Sequence, residues 1–285
     1  MKIPLSILLF LFLLSTASAQ SDSLKFINAD WNIKKVANGI KLKQYWFQSN
    51  SLFNSNQFIN ILEIKQKKRI EIDLGFDPKI RKGTSAFGKE ANAIASVNGT
   101  FFDMKNGGSV DFIRANGRII NENQLLSNGE RAKHQQAALV INKGKLRIAK
   151  WDGTDDWEKK LEGEDVMLSG PILVFDKQRL LPDSSNFNVA RHPRTAIAVT
   201  KNNRVLFITV DGRDPNAAGM NLFELADVLK WLDCREGINM DGGGSTALWI
   251  KDEPGNGVVN NPSDDKRWGP EGERKVANVV LVRRR

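Results

Sequence analysis

The most reactive stretch of the chain runs from Asn239 to Thr246, with the sequence NMDGGGST. Asp241 places a carboxylate at the end of a short apolar segment, and it is followed by Gly242, Gly243, Gly244, Ser245 and Thr246. Consecutive glycines suit a backbone that needs positive φ or approaches a ligand closely, and successive amides in such a turn can bind an anion. A hairpin turn is the alternative interpretation, although it needs fewer glycines. We therefore expect Asp241 to be a nucleophile or general base and the five residues after it to bind substrate.

Two arginines and a histidine lie within the five residues Arg191-His192-Pro193-Arg194-Thr195. Pro193 favours extended geometry at His192, and an extended chain projects alternate side chains to opposite faces. Arginine is the natural bidentate partner of a carboxylate or phosphate. We expect Arg191 and Arg194 to clamp an anion, and His192 to act catalytically by donating to a phosphate oxygen or to the leaving group. Solvated surface charges are the alternative interpretation.

Two further clusters follow apolar, strand-like runs. Asp211-Gly212-Arg213 offers Asp211 as a second catalytic carboxylate, which would either pair with Asp241 or orient Arg213 towards the substrate. Asn98 follows another such run, and we expect it to bind sugar hydroxyls or phosphate oxygens. Polar residues at strand ends are frequent in binding sites and equally frequent in ordinary turns. Each cluster alone therefore leaves both interpretations open.

These residues need a scaffold, and the sequence predicts one made mainly of strands. Strand-like runs occur at 58–64, 69–74, 93–97, 137–141, 172–175, 195–200, 205–210 and 276–282. The turn at 201–204 predicts a hairpin between two of them. A helix is expected from Asn221 as its N-cap to about Arg235, with Cys234 in its last turn and Gly237 ending it. Many strands and few helices predict an α+β fold with a mixed, largely antiparallel sheet core.

Composition and the N-terminus limit the classes of protein. The 285 residues carry a formal net charge of +9 and a single cysteine, which excludes an intramolecular disulfide framework. Lys2, the apolar run 3–14 and the small residues 17–19 predict a signal peptide at residues 1–19, cleaved before Gln20; an uncleaved membrane anchor is the alternative. We expect a secreted or periplasmic protein without a transmembrane anchor. We expect no nucleic-acid partner, because the basic stretches are not interleaved with aromatic residues.

The order of the motifs resembles the phosphodiester glycosidase family. These motifs are NGTFFD at 98–103, SGP at 169–171, RHPRTAIAV at 191–199, VDGR at 210–213, GMNLFELADVLKWL at 219–232 and NMDGGGSTAL at 239–248. The family includes the enzyme that uncovers mannose 6-phosphate by removing N-acetylglucosamine from a phosphodiester. The resemblance implies a secreted or lumenal single domain over residues 20–285. Within it, a variable part at 20–90 is similar to that of bacterial members and precedes a motif-bearing core at 91–285.

The resemblance implies a hydrolase that splits a sugar-1-phosphodiester at the glycosyl C–O bond and releases the sugar and a phosphomonoester. A phosphate leaves more readily than an alcohol, so its protonation matters less than in ordinary glycosidases. Such a site needs a cationic clamp and a carboxylate near the anomeric carbon. The sequence requires no cofactor, although a divalent metal is possible.

Two other classes of protein stay open from the sequence. One is a metal-dependent phosphodiesterase that gathers Asp211, Asp214 and Asp241 around a divalent ion. The other is a non-catalytic exported module that binds a glycan or the cell wall. Its candidate stacking platforms are Trp151, Trp249 and Trp268, although a tryptophan among strand residues is more often part of a core.

Overall fold

Strands dominate the fold. The structure is a computed structural model and describes residues 21–285, so the predicted signal peptide lies outside the described residues. In chain order the strands are β1 (Asn32–Ala37), β2 (Ile40–Leu52), β3 (Ser55–Lys65), β4 (Ile70–Phe76), β5 (Ala95–Asn98), β6 (Ile113–Ala115), β7 (Arg118–Asn121), β8 (Ala137–Asn142), β9 (Lys145–Lys150), β10 (Asp165–Ser169), β11 (Ile172–Phe175), β12 (Gln178–Arg179), β13 (Arg194–Thr200), β14 (Arg204–Val210), β15 (Cys234–Asn239), β16 (Leu248–Ile250) and β17 (Asn278–Arg284). The helices are α1 (residues 21–27), α2 (Thr84–Glu90), α3 (Trp157–Lys160), α4 (Asn186–Val189) and α5 (Leu222–Trp231). Short 3₁₀ turns cover Lys133–Gln135 and Gly243–Ser245.

The strands form three sheets. The largest has eight strands in the order β1-β2-β3-β14-β13-β15-β11-β12, the second has five in the order β7-β6-β10-β8-β9, and the third has four in the order β16-β5-β17-β4. Every strand pairing within residues 21–285 is antiparallel. The predicted α+β class with a largely antiparallel core and few helices is therefore confirmed.

The eight-stranded sheet lies at the centre because its strands alternate apolar side chains between two faces. In β13, Ile197 and Val199 point into the core shared with the two smaller sheets. Ala196 and Ala198 point to the other face, where α1 and α5 pack. On the outer faces of the smaller sheets, α2 covers the four-stranded sheet and Trp157 of α3 packs on the five-stranded sheet.

Two local predictions are confirmed in detail. The hairpin pairs β13 with β14, with Ala198 opposite Leu206. Helix α5 begins with the predicted capping box, in which the Asn221 side chain accepts from the Glu224 amide at 2.8 Å and the Glu224 carboxylate accepts from the Asn221 amide at 3.0 Å. These bonds satisfy two backbone donors that a helix N-terminus otherwise leaves without partners.

The predicted end of this helix is wrong. Helix α5 ends at Trp231, and Asp233 adopts a positive φ of 58°, which reverses the chain so that Cys234 opens β15 instead of closing the helix. Gly237 lies inside β15. A Cβ at this position would lie 2.6 Å from the Leu229 Cδ1 atom, so the glycine allows α5 to pack closely on the sheet.

The N-terminal part of the chain is built into the same sheets as the motif-bearing core. Strand β3 pairs with β14 over seven residues, and β4 pairs with β17 over its full length. The proposed division near residue 90 stays a prediction. Among the described residues, no helix combines the length and the apolar character needed to cross a membrane.

Candidate active site

Three of the predicted motifs meet where β15 ends. The glycine loop, residues 241–246, follows this strand. The Asp241 amide donates to the Gly99 carbonyl at 3.1 Å, and the Gly243 amide donates to the Pro193 carbonyl at 2.8 Å. The structure therefore brings the glycine loop against both the NGTFFD segment and the RHPR segment.

Buried polar residues hold the glycine loop in place. Asn98 Nδ2 donates to the Asp241 carbonyl at 2.7 Å, and its Oδ1 accepts from Thr195 Oγ1 at 2.7 Å. Ser245 and Thr246 are also completely buried. The substrate-binding roles of Asn98, Ser245 and Thr246 stay predictions, while their position suits them to fix the loop's shape.

The carboxyl group of Asp241 has unusual electrostatics. Burial raises its pKa to about 6, and repulsion from the Asp111 carboxylate acts in the same direction. The Ser245 hydroxyl, the Gly242 amide and the Arg274 guanidinium act in the opposite direction. A pKa near neutrality leaves the group ionised at pH 7 yet basic enough to take up a proton, which suits a nucleophile or general base.

The neighbouring carboxylate, Asp111, was not found from the sequence. It is completely buried, and it accepts from Thr100 Oγ1 at 2.6 Å and from Gln135 Nε2 at 3.0 Å. His134 Nε2 lies 3.1 Å from Asp111 Oδ1. The only signal for Asp111 in the sequence is its position as a charged residue within the otherwise apolar run 110–113. A carboxylate buried in such a run needs several hydrogen-bond donors.

Two arginines lie against the glycines of the loop. A Cβ at Gly243 would lie 3.0 Å from Arg213 Nη2, and a Cβ at Gly244 would lie 2.5 Å from Arg274 Nη2. Gly243 has a φ of +61°, so the loop also needs glycine for its backbone conformation. The missing side chains therefore leave space for two guanidinium groups against the loop that Asp241 begins. Arg274 was not predicted; its guanidinium is held by Asp264 Oδ1, with Nε at 2.8 Å.

The backbone amides of the loop are mostly used inside the protein. The amides of Gly242, Gly243, Ser245 and Thr246 donate, in that order, to the Asp241 side chain and to the carbonyls of Pro193, Gly242 and Gly243. The predicted role of these residues in binding an anion through their amides stays untested. The observed contribution of the glycines is to admit the two arginines.

Arg191 and Arg194 have partners that the sequence did not indicate. Arg191 forms an ion pair with Glu224 at 2.5 Å and also donates to the Phe53 carbonyl at 2.6 Å. Arg194 is 1% exposed, and its Nε and Nη2 donate to main-chain carbonyls, including that of Met220 at 2.9 Å. Burial lowers the pKa of Arg194 to about 10. The phosphate clamp predicted from this pair stays untested, and these contacts suit a structural role.

His192 lies next to the first of the loop arginines. Its Nδ1 is 3.4 Å from Arg213 Nη2. Burial lowers the pKa of His192, and the positive charges of Arg194 and Arg213 lower it further. The imidazole is therefore neutral at pH 7. Because an arginine can only donate, Nδ1 acts as the acceptor and the ring proton is expected on Nε2.

Asp211 is not paired with Asp241 or Arg213 as the sequence suggested. Its carboxylate is completely buried and accepts from Asn260 Nδ2 at 3.0 Å and from the Asn261 amide and Nδ2, both at 2.8 Å. Burial raises its pKa to about 7 against the effect of these three donors. The carboxylate that acts on Asp241 is Asp111, because long-range pairing brings β6 and the loop before it to the site.

The ligand set of the alternative metal-dependent enzyme is not assembled. Within residues 21–285 no group of three or more His, Cys, Asp or Glu side chains is placed to hold a metal ion. Asp214 Oδ1 instead accepts from the Asn216 amide in a local turn at 2.8 Å. A divalent metal thus has no preformed protein cage among the described residues.

The three candidate tryptophan platforms differ in their surroundings. Trp249 is 3% exposed and belongs to the core under α2. Trp268 stacks on Trp46 with ring centroids 5.9 Å apart. Trp151 lines a large cavity beside the site. Burial removes Trp249 from the surfaces on which a glycan could stack.

The motif-bearing part of this antiparallel α+β fold matches a known protein family. The chain belongs to the phosphodiester glycosidase family, whose sequence model matches residues 91–283. The N-acetylglucosamine-1-phosphodiester alpha-N-acetylglucosaminidase of Mus musculus is 27% identical over 205 residues, which cover 67% of this chain and 38% of the relative. The Homo sapiens enzyme of the same name is 27% identical over 207 residues, with 68% and 38% covered. The chain thus spans about two fifths of the length of these relatives.

Solved structures show the same fold. The catalytic domain of the zebrafish N-acetylglucosamine-1-phosphodiester alpha-N-acetylglucosaminidase, auto-inhibited by its pro-peptide, matches with a TM-score of 0.67 at 21% identity, covering 87% of this chain and 85% of that chain. A hypothetical protein from Synechocystis matches with a TM-score of 0.65 at 14% identity, covering 90% and 64%.

Proposed function

We propose that this chain is an exported hydrolase that splits sugar-1-phosphodiesters at the glycosyl C–O bond. The observation that carries the proposal is the placement of Arg213 and Arg274 against the glycine loop that carries Asp241, a carboxyl group with a pKa of about 6. A phosphodiester carries one negative charge, which two guanidinium groups can hold. The names of the curated relatives suggest α-linked N-acetylglucosamine as the sugar.

In the proposed reaction, one group of residues acts on the phosphate and Asp241 acts at the anomeric carbon. Arg213 and Arg274 hold the phosphate, and their charge stabilises the phosphomonoester as the C1–O bond breaks and its electron pair moves to the phosphate oxygen. His192 donates from Nε2 to a phosphate oxygen. Asp241 acts at the anomeric carbon, either by bonding to it before water displaces the enzyme or by taking a proton from the attacking water.

Two further carboxylates act through Asp241 or its neighbours. Asp111 raises the pKa of Asp241, which keeps that carboxylate basic. Asp211 positions Asn260 and Asn261, which begin the chain segment leading to Arg274. We assign Asp111 and Asp211 to positioning and Asp241 to catalysis.

Export is the part of the proposal that rests on the sequence alone. Residues 1–19 have the charge, apolar run and small-residue site of a cleavable signal peptide. Expression in a secreting host with mass spectrometry of the released chain tests this. A mature N-terminus at Gln20 is expected, and retention of residues 1–19 on a membrane-bound chain would contradict it.

Activity is tested by incubating the full chain with N-acetylglucosamine 1-(methyl phosphate) and following both products by ³¹P and ¹H NMR. Free N-acetylglucosamine and methyl phosphate are expected in equal amounts. Release of methanol with N-acetylglucosamine 1-phosphate would identify a phosphodiesterase of the other ester bond. Tight binding of the ester without turnover would instead support a non-catalytic binding module.

A further inference from the structure

A large cavity opens next to the candidate active site, and the proposed reaction leaves it unused. Its volume is about 780 Å³, within the range of sites that bind small molecules. The apolar members of its lining are Phe101, Trp151, Pro171, Ile172, Leu180, Leu181, Pro182 and Phe187. Phe101 comes from the NGTFFD motif and Pro171 from the SGP motif, so two of the sequence motifs form its walls.

The cavity adjoins Asp111 and the strand that leads to Asp241 through two direct contacts. His134 lines the cavity, and its Nε2 lies 3.1 Å from Asp111 Oδ1. The Pro171 carbonyl accepts from the Asn239 amide at 3.0 Å, two residues before Asp241. A substrate with its anomeric carbon at Asp241 can therefore extend one of its ends into the cavity.

Several polar groups around the cavity are already paired with one another. Asp183 forms an ion pair with Lys133, and it accepts from the Ser185 amide at 2.9 Å and from Asn188 Nδ2 at 2.7 Å. The Trp151 indole N–H donates to the Thr154 carbonyl at 2.9 Å. A sugar ring needs free donors and acceptors for its hydroxyls, whereas an aliphatic chain needs only apolar surface. Gln136 and Lys150 also line the cavity. The pairing of the other polar groups named here leaves fewer partners for sugar hydroxyls, which favours the aliphatic chain.

The mouth of the cavity exposes apolar side chains to water. Leu181 is 66% exposed and Phe187 is 41% exposed. The Phe187 ring contacts Phe101 with centroids 6.2 Å apart, and Phe101 in turn packs on His134 at 4.6 Å. An apolar surface therefore runs continuously from the mouth to the histidine that contacts Asp111. A bound aliphatic chain would cover this surface, which gives the hydrophobic effect a direct role in binding.

We propose that this cavity binds an aliphatic chain carried on the phosphate of the substrate, so that the natural substrate is a sugar linked through a phosphodiester to an apolar alcohol. The proposal rests on the proposed function, since it assigns the leaving group of that reaction. The chain would lie against Phe101, Ile172, Leu181 and Phe187, while the phosphate lies at Arg213.

The test compares two substrates that differ only in the alcohol: N-acetylglucosamine 1-(methyl phosphate) and N-acetylglucosamine 1-(octyl phosphate), both used below the concentration at which the octyl ester forms micelles. Each buried methylene is worth roughly fourfold in binding. We expect kcat/KM for the octyl ester to exceed that for the methyl ester by roughly tenfold or more. Equal kcat/KM values for the two esters would overturn the proposal and leave the proposed function standing.

A pair of matched leucine variants locates the effect. Leu181→Ser removes apolar surface from the cavity mouth, whereas Leu24→Ser does so at a similarly exposed leucine of α1, 53% exposed and outside the cavity lining. Leu181→Ser is expected to lower the octyl-to-methyl ratio of kcat/KM by about threefold, and Leu24→Ser to leave the ratio unchanged. The same ratio in both variants would overturn the assignment of this cavity.

Direct binding separates a failure of this inference from a failure of the proposed function. Calorimetric titration of the full chain with octyl phosphate and with methyl phosphate needs no turnover. If neither ester is hydrolysed, the proposed function fails. Binding of octyl phosphate at least roughly tenfold tighter than methyl phosphate, weakened by Leu181→Ser, would still support an apolar-chain site. Equal binding of the two phosphates would overturn it.

Discussion

Two loops of this molecule begin with the same dipeptide at the end of a central strand, and they have different surroundings. Asp241-Gly242 follows β15, and its carboxylate meets a second carboxylate and a guanidinium. Asp211-Gly212 follows β14, and its carboxylate is enclosed by three amide donors of Asn260 and Asn261. Both pKa values are raised by burial. Two strand-end Asp-Gly pairs thus differ in electrostatics because of the groups that long-range folding places opposite them.

The largest expected difference between the two loops concerns their carboxylates. Asp241→Asn is expected to lower kcat by roughly 10²- to 10⁴-fold, because the amide neither accepts a proton nor bonds to the anomeric carbon. At pH 7.5 its melting temperature should equal or exceed that of the wild type, since the raised pKa of about 6 means that the folded state disfavours the ionised carboxylate. Steady-state kinetics and calorimetry on the same preparation measure both.

Asp211→Asn is the matched variant. Its new amide faces the Asn260 amide, so two donors meet, and we expect a loss of about 1–3 kcal/mol in the free energy of unfolding. Folded molecules should keep kcat within roughly tenfold of the wild type, far less than the loss at Asp241. A stable Asp211→Asn protein with the activity loss of Asp241→Asn would place both carboxylates in catalysis and remove the contrast.

The arginines on the glycine loop are expected to give the next largest effect. Arg213→Ala and Arg274→Ala should each lower kcat/KM by roughly 10²-fold, because each removes a charged donor from the phosphate in the transition state. Arg69→Ala is the control: this residue lies just before β4, at the end of the β4–β17 pair away from Asn278 and the site. A loss for Arg69→Ala equal to that of the other two would point to overall charge instead of a local clamp.

The glycines of the two loops are expected to respond differently to replacement by alanine. A Cβ at Gly244 would press only on the flexible ends of Arg274 and Asp264, whereas a Cβ at Gly212 would lie 2.7 Å from the Gly219 Cα atom. Gly244→Ala should therefore lower kcat/KM by roughly ten- to a hundredfold by displacing the guanidinium, at nearly unchanged stability. Gly212→Ala should cost about 1–3 kcal/mol of unfolding free energy through overpacking against backbone. Kinetics and denaturant titration of both variants measure these effects. A stability loss in Gly244→Ala together with an activity loss in Gly212→Ala would contradict the roles assigned to the two loops.

The smallest expected effect is a shift of the pH profile. Because Asp241 acts as the carboxylate and its pKa is about 6, kcat/KM should rise with pH up to this region and then level off. Asp111→Asn removes a repelling negative charge and should move the acidic limb to lower pH. Arg274→Gln removes a stabilising positive charge and should move it to higher pH. Shifts in the same direction for both variants would contradict the assignment of the limb to Asp241.

Local sequence patterns predicted much of the fold. The capping box of α5 and the β13–β14 hairpin depend on residues within sixteen positions of each other, and the structure confirms both. The end of α5 was misjudged because Asp233 adopts a positive φ that a glycine was expected to supply. Short-range chemistry was therefore reliable except where a residue takes an uncommon backbone conformation.

The site was predicted less completely because its contacts join distant parts of the chain. Asp241 was a candidate because its motif is continuous. Asp111 and Arg274 lie outside the motifs recognised in the sequence, and only strand pairing brings them to the glycine loop. The phosphate clamp expected from Arg191 and Arg194 stays a prediction, and the structure adds that Arg191 pairs with Glu224 and Arg194 donates to main-chain carbonyls. A sequence motif locates candidate residues, but the partners of their side chains become known only from the packed structure.

Hydrolysis in ¹⁸O-labelled water is the most direct test of the central claim, that Asp241 directs attack to the anomeric carbon while Arg213 and Arg274 hold the phosphate. The full chain is incubated with N-acetylglucosamine 1-(methyl phosphate), and the products are analysed by mass spectrometry. We expect the ¹⁸O label in the released sugar and none in methyl phosphate. Label in the phosphate would mean attack at phosphorus and would contradict the claim.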